Sequence, residues 1–477
     1  MTKLYFDKNN TNSNKILINN LSLSYNYTSN LLYNRLNKSK EIEVKKDYKL
    51  KMNEIVIGFK SVEYYLGNEV KVDLKLTNES GNLKELKSRG FLLLSRKGDG
   101  KTVMASILIN WYREKFKIKD SSGNIINLPV FIIDPKGEYY TRSKESYYNR
   151  DEDFKFNVDG LLSEYNLKRK GFDLIVIRPK FLGEQSDVNF YYSIHFLDFK
   201  RIMKRNSTVS ISILFDLLGL TNNEANQELL ELALSNDKIT SWIELGNYIL
   251  KLKKEFGIGA VTIINKIRVR LRRGILTDKD EERFNLLENL ANKIVVFRGD
   301  IRNEVDDNIH LIMYNAYIKF ALQLIIDDAD GASKNNKDSY LKNPAGYLIV
   351  CDETDSICPR EGKNSLKNTY IQLLTKYRAI MINTISITQN PDKLAYEIIK
   401  ECDFVLGSTC DNIISDTLIK IRGITPKNVY FLKTLKREVL NSIGLTINEW
   451  YFVDINNFPI IFYPFIPTQA YKEQTSN

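Results

Sequence analysis

A short glycine-containing segment near residue 100 has the residue types and spacing to hold phosphate. It reads SRKGDGKT and directly follows the apolar run Phe91–Leu94. Backbone N–H groups of a tight loop and of a helix N-terminus can surround phosphate oxygens. Lys101 can reach the outer phosphates of a nucleotide, and the Thr102 hydroxyl can ligate Mg²⁺. The predicted nucleotide-binding residues are Ser95, Arg96, Lys97, Gly98, Asp99, Gly100, Lys101 and Thr102.

Two positions of this segment depart from the usual pattern, G-x-x-x-x-G-K-[ST]. Ser95 replaces the first glycine, and Asp99 stands where a small neutral residue is usual. A carboxylate beside a triphosphate should repel it unless the carboxylate points away or pairs, for instance with Arg96 or Lys97. The alternative interpretation is a glycine-rich turn between a strand and a helix that binds no ligand.

Two acidic residues follow a second apolar run further along the chain. The run Tyr347–Cys351 is typical of a buried strand and ends at Asp352 and Glu353. A parallel strand delivers such side chains to the carboxyl edge of its sheet, where ligands bind. We predict that Asp352 holds Mg²⁺ and that Glu353 is the general base for an attacking water. The alternative is a strand that ends in two solvated acids.

A third apolar run, Ile380–Ile387, ends in polar residues. An amide at the end of this strand could orient a water molecule or sense the γ-phosphate of a nucleotide. We predict that Gln389 has this role. The alternative is an ordinary turn before Pro391.

Four segments, taken in order, resemble the HerA/FtsK superfamily of ring ATPases. They are SRKGDGKT (Ser95–Thr102), VFIIDPKGEYY (Val130–Tyr140), YLIVCDE (Tyr347–Glu353) and ISITQNP (Ile385–Pro391). The second is the most distinctive, because a strand followed by Asp-Pro-Lys-Gly-Glu is similar to the D-x-x-G-E-Y segment of HerA-like proteins. The resemblance covers roughly residues 88–135 and 290–410.

This resemblance implies a RecA-like P-loop ATPase that binds ATP and Mg²⁺ between the subunits of a homo-oligomeric ring, expected to be a hexamer. It also implies an arginine supplied by the neighbouring subunit, and Arg378 occupies the corresponding place. Such an arginine would stabilise charge on the transferring phosphoryl group. A solvated surface arginine is the alternative. Asp134 and Glu138 are expected near the site as accessory acids, with a structural salt bridge as an equal alternative.

The alternation of apolar runs with helical patterns indicates the elements that position these residues. Short buried strands separated by helices favour an α/β fold with a central, mostly parallel sheet. We predict a RecA-like P-loop core over residues 86–467, with a helical insertion over about 180–290 and a flexible tail over 468–477. The polar segment Asp327–Asn343 is expected to be a loop.

The first part of the chain has a different pattern. Val70, Val72, Leu74 and Leu76 alternate with polar residues, which is a strand signal. We therefore predict a small β-rich N-terminal domain over residues 1–85.

Composition sets limits on the class of protein. Hydrophobic residues make up 43% of the 477 residues, which is typical of a globular chain. No apolar run is long enough to span a membrane, and the polar N-terminus lacks the apolar core of a signal peptide. Four cysteines and two histidines disfavour a disulfide scaffold and a His-rich zinc site. We expect a cytoplasmic protein.

The densest basic run is Asn265–Arg273, and the net charge of the chain is +10. Ile263, Ile267 and Leu271 recur at helical spacing, so this segment should be a helix with an apolar inner stripe. The polar side would carry the candidate DNA contacts, with Arg268 and Arg272 nearer its flanks. A solvated face is the alternative. The candidate DNA contacts are Lys266, Arg270 and Arg273.

These features favour an ATP-dependent motor that moves or packages double-stranded DNA. One alternative is an ATPase for protein secretion or assembly that DNA does not stimulate. Another is a catalytically weak nucleotide-binding scaffold, which Ser95 and Asp99 favour, whereas Lys101 and Glu353 argue against it. A partner nuclease, conjugation protein or capsid protein is conceivable, and the Asn-rich, basic composition would suit a virus or a plasmid.

Overall fold

The computed structural model describes most of the chain from residue 89 onward and two short segments before it. The predicted tail, 468–477, and most of the predicted N-terminal domain, including Leu74 and Leu76, lie outside the described residues. The described residues are 54–60, 69–73, 89–143, 168, 170–220, 224–300, 307–342, 346–362, 365–433, 435, 437–440, 445–453 and 459–464.

Strands occur along the whole described part of the chain. They are β1 (Glu54–Lys60), β2 (Glu69–Asp73), β3 (Gly90–Leu94), β4 (Lys117–Lys119), β5 (Ile125–Asn127), β6 (Val130–Asp134), β7 (Leu174–Pro179), β8 (Phe190–Tyr192), β9 (Ile194–His195), β10 (Leu276–Thr277), β11 (Ile294–Arg298), β12 (Tyr347–Cys351), β13 (Ile382–Thr388), β14 (Phe404–Gly407), β15 (Arg437–Leu440), β16 (Leu445–Asn448), β17 (Trp450–Val453) and β18 (Pro459–Pro464).

Helices alternate with these strands and also form a separate run between β9 and β10. The α-helices are α1 (Lys101–Lys115), α2 (Phe196–Arg205), α3 (Ser207–Leu218), α4 (Glu224–Leu234), α5 (Trp242–Lys251), α6 (Lys253–Arg272), α7 (Leu286–Asn292), α8 (Asp307–Ser333), α9 (Thr354–Ile357), α10 (Ser365–Thr375), α11 (Tyr396–Glu401), α12 (Asn412–Lys420) and α13 (Pro426–Leu432). Short 3₁₀ helices cover Tyr139–Ser143, Lys180–Leu182, Asp280–Glu282 and Tyr377–Ile380.

Twelve strands form one sheet in the order β2-β1-β18-β17-β14-β3-β13-β12-β6-β11-β7-β8. The eight strands from β14 to β8 in that order are parallel to their neighbours. The remaining four, β17, β18, β1 and β2, pair antiparallel. The predicted α/β class with a mostly parallel sheet is therefore confirmed. Both strands from the predicted N-terminal domain belong to this same sheet, with β2 at its edge and β1 between β2 and β18.

The central strands are buried on both faces. Every residue of β3, β6, β11 and β12 is buried, which explains their continuous apolar sequences. β13 is also fully buried, although it contains polar residues. Two of these are satisfied inside: Ser386 shares a 2.9 Å hydrogen bond with the Tyr370 hydroxyl, and the Thr388 hydroxyl donates to Asp355 at 2.6 Å. Pairing lets a central strand tolerate these polar groups.

The polar segment predicted as a loop over Asp327–Asn343 is partly helical, so that prediction was wrong. Helix α8 continues to Ser333 because its apolar face continues, with Ala329 and Ala332 buried. Asp328 is buried as well, and its carboxylate accepts hydrogen bonds from the Tyr347 hydroxyl at 2.7 Å and from the Tyr340 amide at 2.6 Å. Part of the polarity of this segment comes from the internal hydrogen bonds of Asp328, and the rest comes from residues that are exposed to solvent.

Five helices, α2 to α6, separate β9 from β10, within the range where a helical insertion is predicted. Their packing is aromatic in part, since the rings of Phe196 and Phe199 each lie 5.0 Å from that of Trp242. The Trp242 indole donates to the Ile194 carbonyl at 3.1 Å, which attaches α5 to β9. Helix α6 is kinked at Gly257, where φ is 56° and ψ is −127°.

Among the described residues, we find no helix with the length and apolar character that crossing a bilayer requires.

Candidate active site

The strand order brings the candidate residues to one edge of the sheet. β13 lies between β3 and β12, and β6 follows on the other side of β12. Because these strands are parallel, the segments that follow them all emerge at the carboxyl edge. Neighbouring strands are about 4.8 Å apart, so the ends of β3 and β12 are separated by about 10 Å. A phosphate group with a metal ion could lie between them.

The loop after β3 has the geometry of a phosphate cradle. Gly98 and Gly100 adopt positive φ angles of 85° and 87°, which a residue with a Cβ atom rarely adopts. Gly100 caps α1, which begins at Lys101 and has no acidic residue in its first turn. The Lys101 ammonium donates to the Arg96 carbonyl at 2.7 Å, across the loop. The loop therefore directs a helix N-terminus and a lysine toward the same space.

The two atypical residues of the loop contact each other. The Ser95 hydroxyl contacts that of Ser408, beyond the end of β14, and lies 3.4 Å from the Asp99 carboxylate. Ser95 and Asp99 are both buried. The Arg96 guanidinium binds Asp411 at 3.2 Å on the exposed side of the loop. Ser95 thus links the loop to the adjacent strand, and the Asp99 carboxylate is directed toward it.

Lys101 is a buried cation that faces acidic residues. Burial lowers the pKa of Lys101, although neighbouring carboxylates, with Glu353 foremost, oppose this shift. Only about 7% of the residue is exposed. A partly desolvated ammonium interacts strongly with an incoming anion, because little water must be displaced from it. This environment suits a lysine that binds the outer phosphates of a nucleotide.

Asp352 is a deeply buried acid at this edge. Burial raises the pKa of Asp352 well above its ordinary value, and the nearby carboxylates of Asp134 and Glu353 raise it further. A divalent cation would favour the ionised form. Among the described residues, no group of three or more His, Cys, Asp or Glu is arranged to hold a metal. The donor set instead fits Mg²⁺, which in nucleotide sites takes one or two protein ligands plus phosphates. Thr102 and Asp352 could supply these.

Glu353 is held in a specific conformation at the start of α9. Its backbone has a positive φ of 47°, and its N–H donates to the Asp352 carboxylate at 3.0 Å. Its side-chain oxygen Oε1 accepts from the Lys136 ammonium at 2.5 Å and from the Gln389 amide. Positive φ in a non-glycine residue is costly, and such strained residues tend to cluster at functional sites. The predicted base and the predicted water-orienting amide are thus in direct contact.

The segment Asp134–Tyr139 is a tight turn built around a buried carboxylate. Asp134 accepts three backbone hydrogen bonds, from Gly137 at 2.8 Å, Glu138 at 3.1 Å and Tyr139 at 2.8 Å. Burial raises its pKa to about 6, against the lowering effect of these bonds. In this structure Asp134 organises the turn and adds negative charge near Asp352. Glu138 also adds negative charge near Asp352.

Lys136 is a site residue that sequence reasoning missed. It lies in the middle of the Asp-Pro-Lys-Gly-Glu segment that carried the resemblance, yet only the two acids were chosen. The signal was its position two residues after a strand that ends at the candidate site. Its partner, Glu353, is 217 positions away in sequence. Only the pairing of β6 with β12 brings the two together.

Arg378 lies at the opposite edge of the sheet, in the 3₁₀ helix that precedes β13. β13 has seven residues, so Arg378 and Gln389 are about 20 Å apart along the strand. The Arg378 guanidinium contacts the Asp403 carboxylate at 3.4 Å and the Glu401 carbonyl at the end of α11. It is therefore remote from the candidate nucleotide site of its own chain.

The basic helix α6 differs from its prediction at one residue. Ile263 and Ile267 are buried, as expected, but Arg270 is buried too, so its selection as a DNA contact was wrong. The reason is helical spacing: Arg270 is three residues after Ile267 and seven after Ile263, which places it on the inner face. Its neighbours Arg268, Arg272 and Arg273 are exposed, and Lys266 is partly exposed.

Comparisons by sequence find no relative: no protein-family model matches the chain, and no curated protein matches it. Solved structures do match. VirB4 of Thermoanaerobacter pseudethanolicus has 16% identity and a TM-score of 0.51, and the match covers 86% of this chain and 96% of that one. At this identity, the likeness establishes the fold and confirms the predicted RecA-like P-loop class.

Two further matches have lower TM-scores. The plasmid coupling protein TrwB, in complex with a non-hydrolysable ATP analogue, has 12% identity, coverage of 81% of this chain and 88% of that one, and a TM-score of 0.45. The genome packaging NTPase B204 from Sulfolobus turreted icosahedral virus 2, in complex with ATP-γS, has 10% identity, coverage of 79% and 98%, and a TM-score of 0.32.

Proposed function

We propose that this protein is an ATP-hydrolysing motor of the HerA/FtsK type, which works as a homo-oligomeric ring to move or package double-stranded DNA. One observation carries the ATPase part of the proposal. Three segments that are apart in sequence and begin at Ser95, Asp352 and Gln389 meet at the carboxyl edge of one parallel sheet. Ligands of open α/β sheets bind at this edge.

Each residue of the site has a proposed role in hydrolysis. Lys101 binds the outer phosphates of ATP, and Thr102 and Asp352 hold Mg²⁺. When bound, Mg²⁺ would neutralise charge on the phosphate oxygens. Glu353 accepts a proton from the attacking water as general base, and Gln389 orients that water. The contact between Gln389 and Glu353 supports this assignment, because both must reach one water molecule.

The ring is proposed from the family resemblance, with a hexamer as the expected form. In such a ring, an arginine from the neighbouring subunit completes each site, and Arg378 is our candidate. Its place at the amino edge, outside its own site, is compatible with a role in trans. Its present contacts with Asp403 and the Glu401 carbonyl would have to be exchanged for contacts with nucleotide.

DNA is the proposed cargo because the chain is basic and α6 exposes a basic face. The net charge is +10, and Arg268 and Arg272 near the C-terminal end of α6 and its C-cap residue Arg273 are exposed. Arginines in this arrangement can contact backbone phosphates without reading bases, as a motor that moves along any sequence requires. A partner nuclease, conjugation protein or capsid protein would decide the biological process.

The test is the steady-state ATPase rate with and without duplex DNA. Lys101→Ala removes the phosphate-binding cation, and Glu353→Gln removes the base while keeping its shape. Lys420→Ala is the matched control, because Lys420 is exposed and pairs with nearby Asp416 in α12. We expect DNA to raise turnover several-fold and both site variants to abolish it.

Two other results would favour different functions. Turnover that depends on Lys101 and Glu353 but ignores DNA would indicate another cargo, such as a protein to be secreted or assembled. Nucleotide binding without any turnover would refute the motor and favour a scaffold. The buried carboxylate of Asp99 in the candidate phosphate loop is the observation that favours the scaffold.

A further inference from the structure

A buried carboxylate ties the start of α9 to the chain that follows β13. Asp355, in the first turn of α9, is about 8% exposed. Its Oδ1 atom accepts a hydrogen bond from the Thr388 hydroxyl at 2.6 Å, and its Oδ2 atom accepts one from the Asn390 side-chain amide at 3.1 Å. The backbone N–H of Asn390 donates in turn to the Thr388 hydroxyl at 3.0 Å. These three hydrogen bonds hold the residues on both sides of Gln389.

Two further hydrogen bonds join the same two parts of the chain. The Ile387 N–H donates to the Thr354 hydroxyl, at the start of α9, at 3.0 Å. Beyond Gln389, the Ala395 N–H donates to the Cys358 carbonyl at 3.1 Å. The segment after β12 and the segment after β13 are therefore connected both before and after Gln389.

Gln389 depends on these contacts for its orientation. It directly follows Thr388, the last residue of β13, so strand pairing ends just before it. Functional side chains keep their geometry, to within about 0.5 Å, when supporting hydrogen bonds hold the chain around them. Loss of the Asp355 carboxylate would leave the buried Thr388 hydroxyl without its acceptor, and the chain would rearrange to satisfy it. The Gln389 amide would then move as well.

We propose that Asp355 is a positioning residue for hydrolysis, which holds residues 388 and 390 so that the Gln389 amide meets the attacking water. This inference rests on the proposed ATPase function and on the role proposed there for Gln389. Asp355 acts only as a hydrogen-bond acceptor, and no proton or other atom is transferred to it.

The test compares kcat and KM for ATP of Asp355→Ala and Asn390→Ala with those of the wild type. Asp355→Ala removes both contacts, and kcat should fall by roughly 10- to 100-fold, because a misplacement of about 1 Å can cost about 100-fold. Asn390 is partly exposed. Asn390→Ala removes one contact and should lower kcat by about threefold, the scale of one lost hydrogen bond. KM should change by less than about twofold in both variants, because phosphate binding by Lys101 is untouched.

Coupling to Gln389 separates positioning from a general loss of stability. If Asp355 acts through Gln389, each variant should lower kcat by less than about twofold when it is added to Gln389→Ala. Losses of the same factor in both backgrounds would overturn the inference. A Gln389→Ala kcat equal to that of the wild type would overturn it too, because Asp355 would then have no group to act through. Asn390→Ala keeps this test decisive if Asp355→Ala does not fold.

Asp328→Ala is the matched control for the loss of a buried carboxylate. Asp328 also accepts from one hydroxyl and one amide, those of Tyr347 and Tyr340, but it lies at the amino edge of the sheet, where β12 begins. Its loss should lower the midpoint of urea unfolding and leave kcat within about twofold of the wild type. An Asp328→Ala kcat as low as that of Asp355→Ala would show that the effect is not specific to the site and would overturn the inference.

The two proposals can fail separately. Wild-type turnover that Lys101→Ala abolishes, with Asp355→Ala and Asn390→Ala both equal to the wild type in kcat, rejects the positioning role and leaves the ATPase standing. Absence of turnover in the wild type rejects both.

Discussion

The turn that carries Lys136 should depend on Gly137 being glycine. Gly137 has a φ of +72°, and a Cβ atom built there would lie 2.0 Å from Oδ1 of Asp300 and 2.6 Å from Nε of Arg298. The Asp300 carboxylate is not free to move away. It is bound by Arg178 at 2.5 Å and by Arg298 at 2.7 Å. Gly137→Ala must therefore strain the backbone and displace a charged network.

The cost can be built from two parts. Alanine in a left-handed conformation costs about 1 kcal/mol or slightly more. Displacing a carboxylate from two arginines costs about 2 kcal/mol, the scale of one charge-assisted hydrogen bond. Gly137→Ala should therefore destabilise the protein by about 3 kcal/mol.

Gly423→Ala is the matched control. Gly423 has almost the same φ, +69°, and no described atom lies within 4 Å of its Cβ position. It should lose only the backbone term, about 1 kcal/mol. Urea unfolding of both variants, followed by circular dichroism, gives the two free energies. Equal losses in the two variants would refute the claim that Asp300 and its arginines enclose the turn.

Three further predictions concern a buried acid, the candidate trans arginine and the basic helix. Burial raises the pKa of Asp327 to about 6, so its ionisation destabilises the fold above pH 6 and the cost fades as pH falls toward 4. Asp327→Asn should then stabilise by about 3 kcal/mol near pH 8, with the gain vanishing near pH 4; a gain independent of pH in urea unfolding would contradict this. Arg378→Ala should reduce turnover by about 10³-fold, and mixing it with Glu353→Gln subunits should restore activity; mixtures that stay inactive would argue against a role in trans. Arg272→Ala should weaken DNA binding and reduce its salt dependence by about one charge, measured by fluorescence anisotropy at several salt concentrations. Arg270→Ala should lower stability and leave that salt dependence intact. If instead Arg270→Ala reduces the salt dependence and Arg272→Ala lowers stability, the two arginines lie on the opposite faces of the helix from those assigned to them.

Arg378 and Arg270 illustrate how a correct residue pattern can have several tertiary outcomes. Both are arginines on helical segments, for which a solvated surface position is the ordinary expectation. Arg270 is instead on the inner face of α6, which packs against the rest of the fold. Arg378 contacts the Glu401 carbonyl at the end of α11, and α11 follows Arg378 in the chain. Neither the burial of Arg270 nor the contact of Arg378 can be predicted from the residues next to them in sequence.

The local features of this protein follow from its amino-acid sequence alone. Glycines at positions 98 and 100 allow the positive φ angles of the loop, and Lys101 begins a helix directly after it. Continuous apolar runs produced strands buried on both faces, and the acids Asp352 and Glu353 stand at the end of one of them. These outcomes follow from steric limits and from hydrophobic burial, which act over a few residues.

The packing of the whole fold sets which of these features meet. Strand order is set by long crossover connections, and no local pattern states that β13 lies between β3 and β12 or that β6 lies beside β12. That order joins Lys136 and Gln389 to one oxygen of Glu353. It also joins Ser95 to Ser408 across β3 and β14. Contacts between residues hundreds of positions apart depend on the packing of the whole sheet, because burial is shared among all its strands.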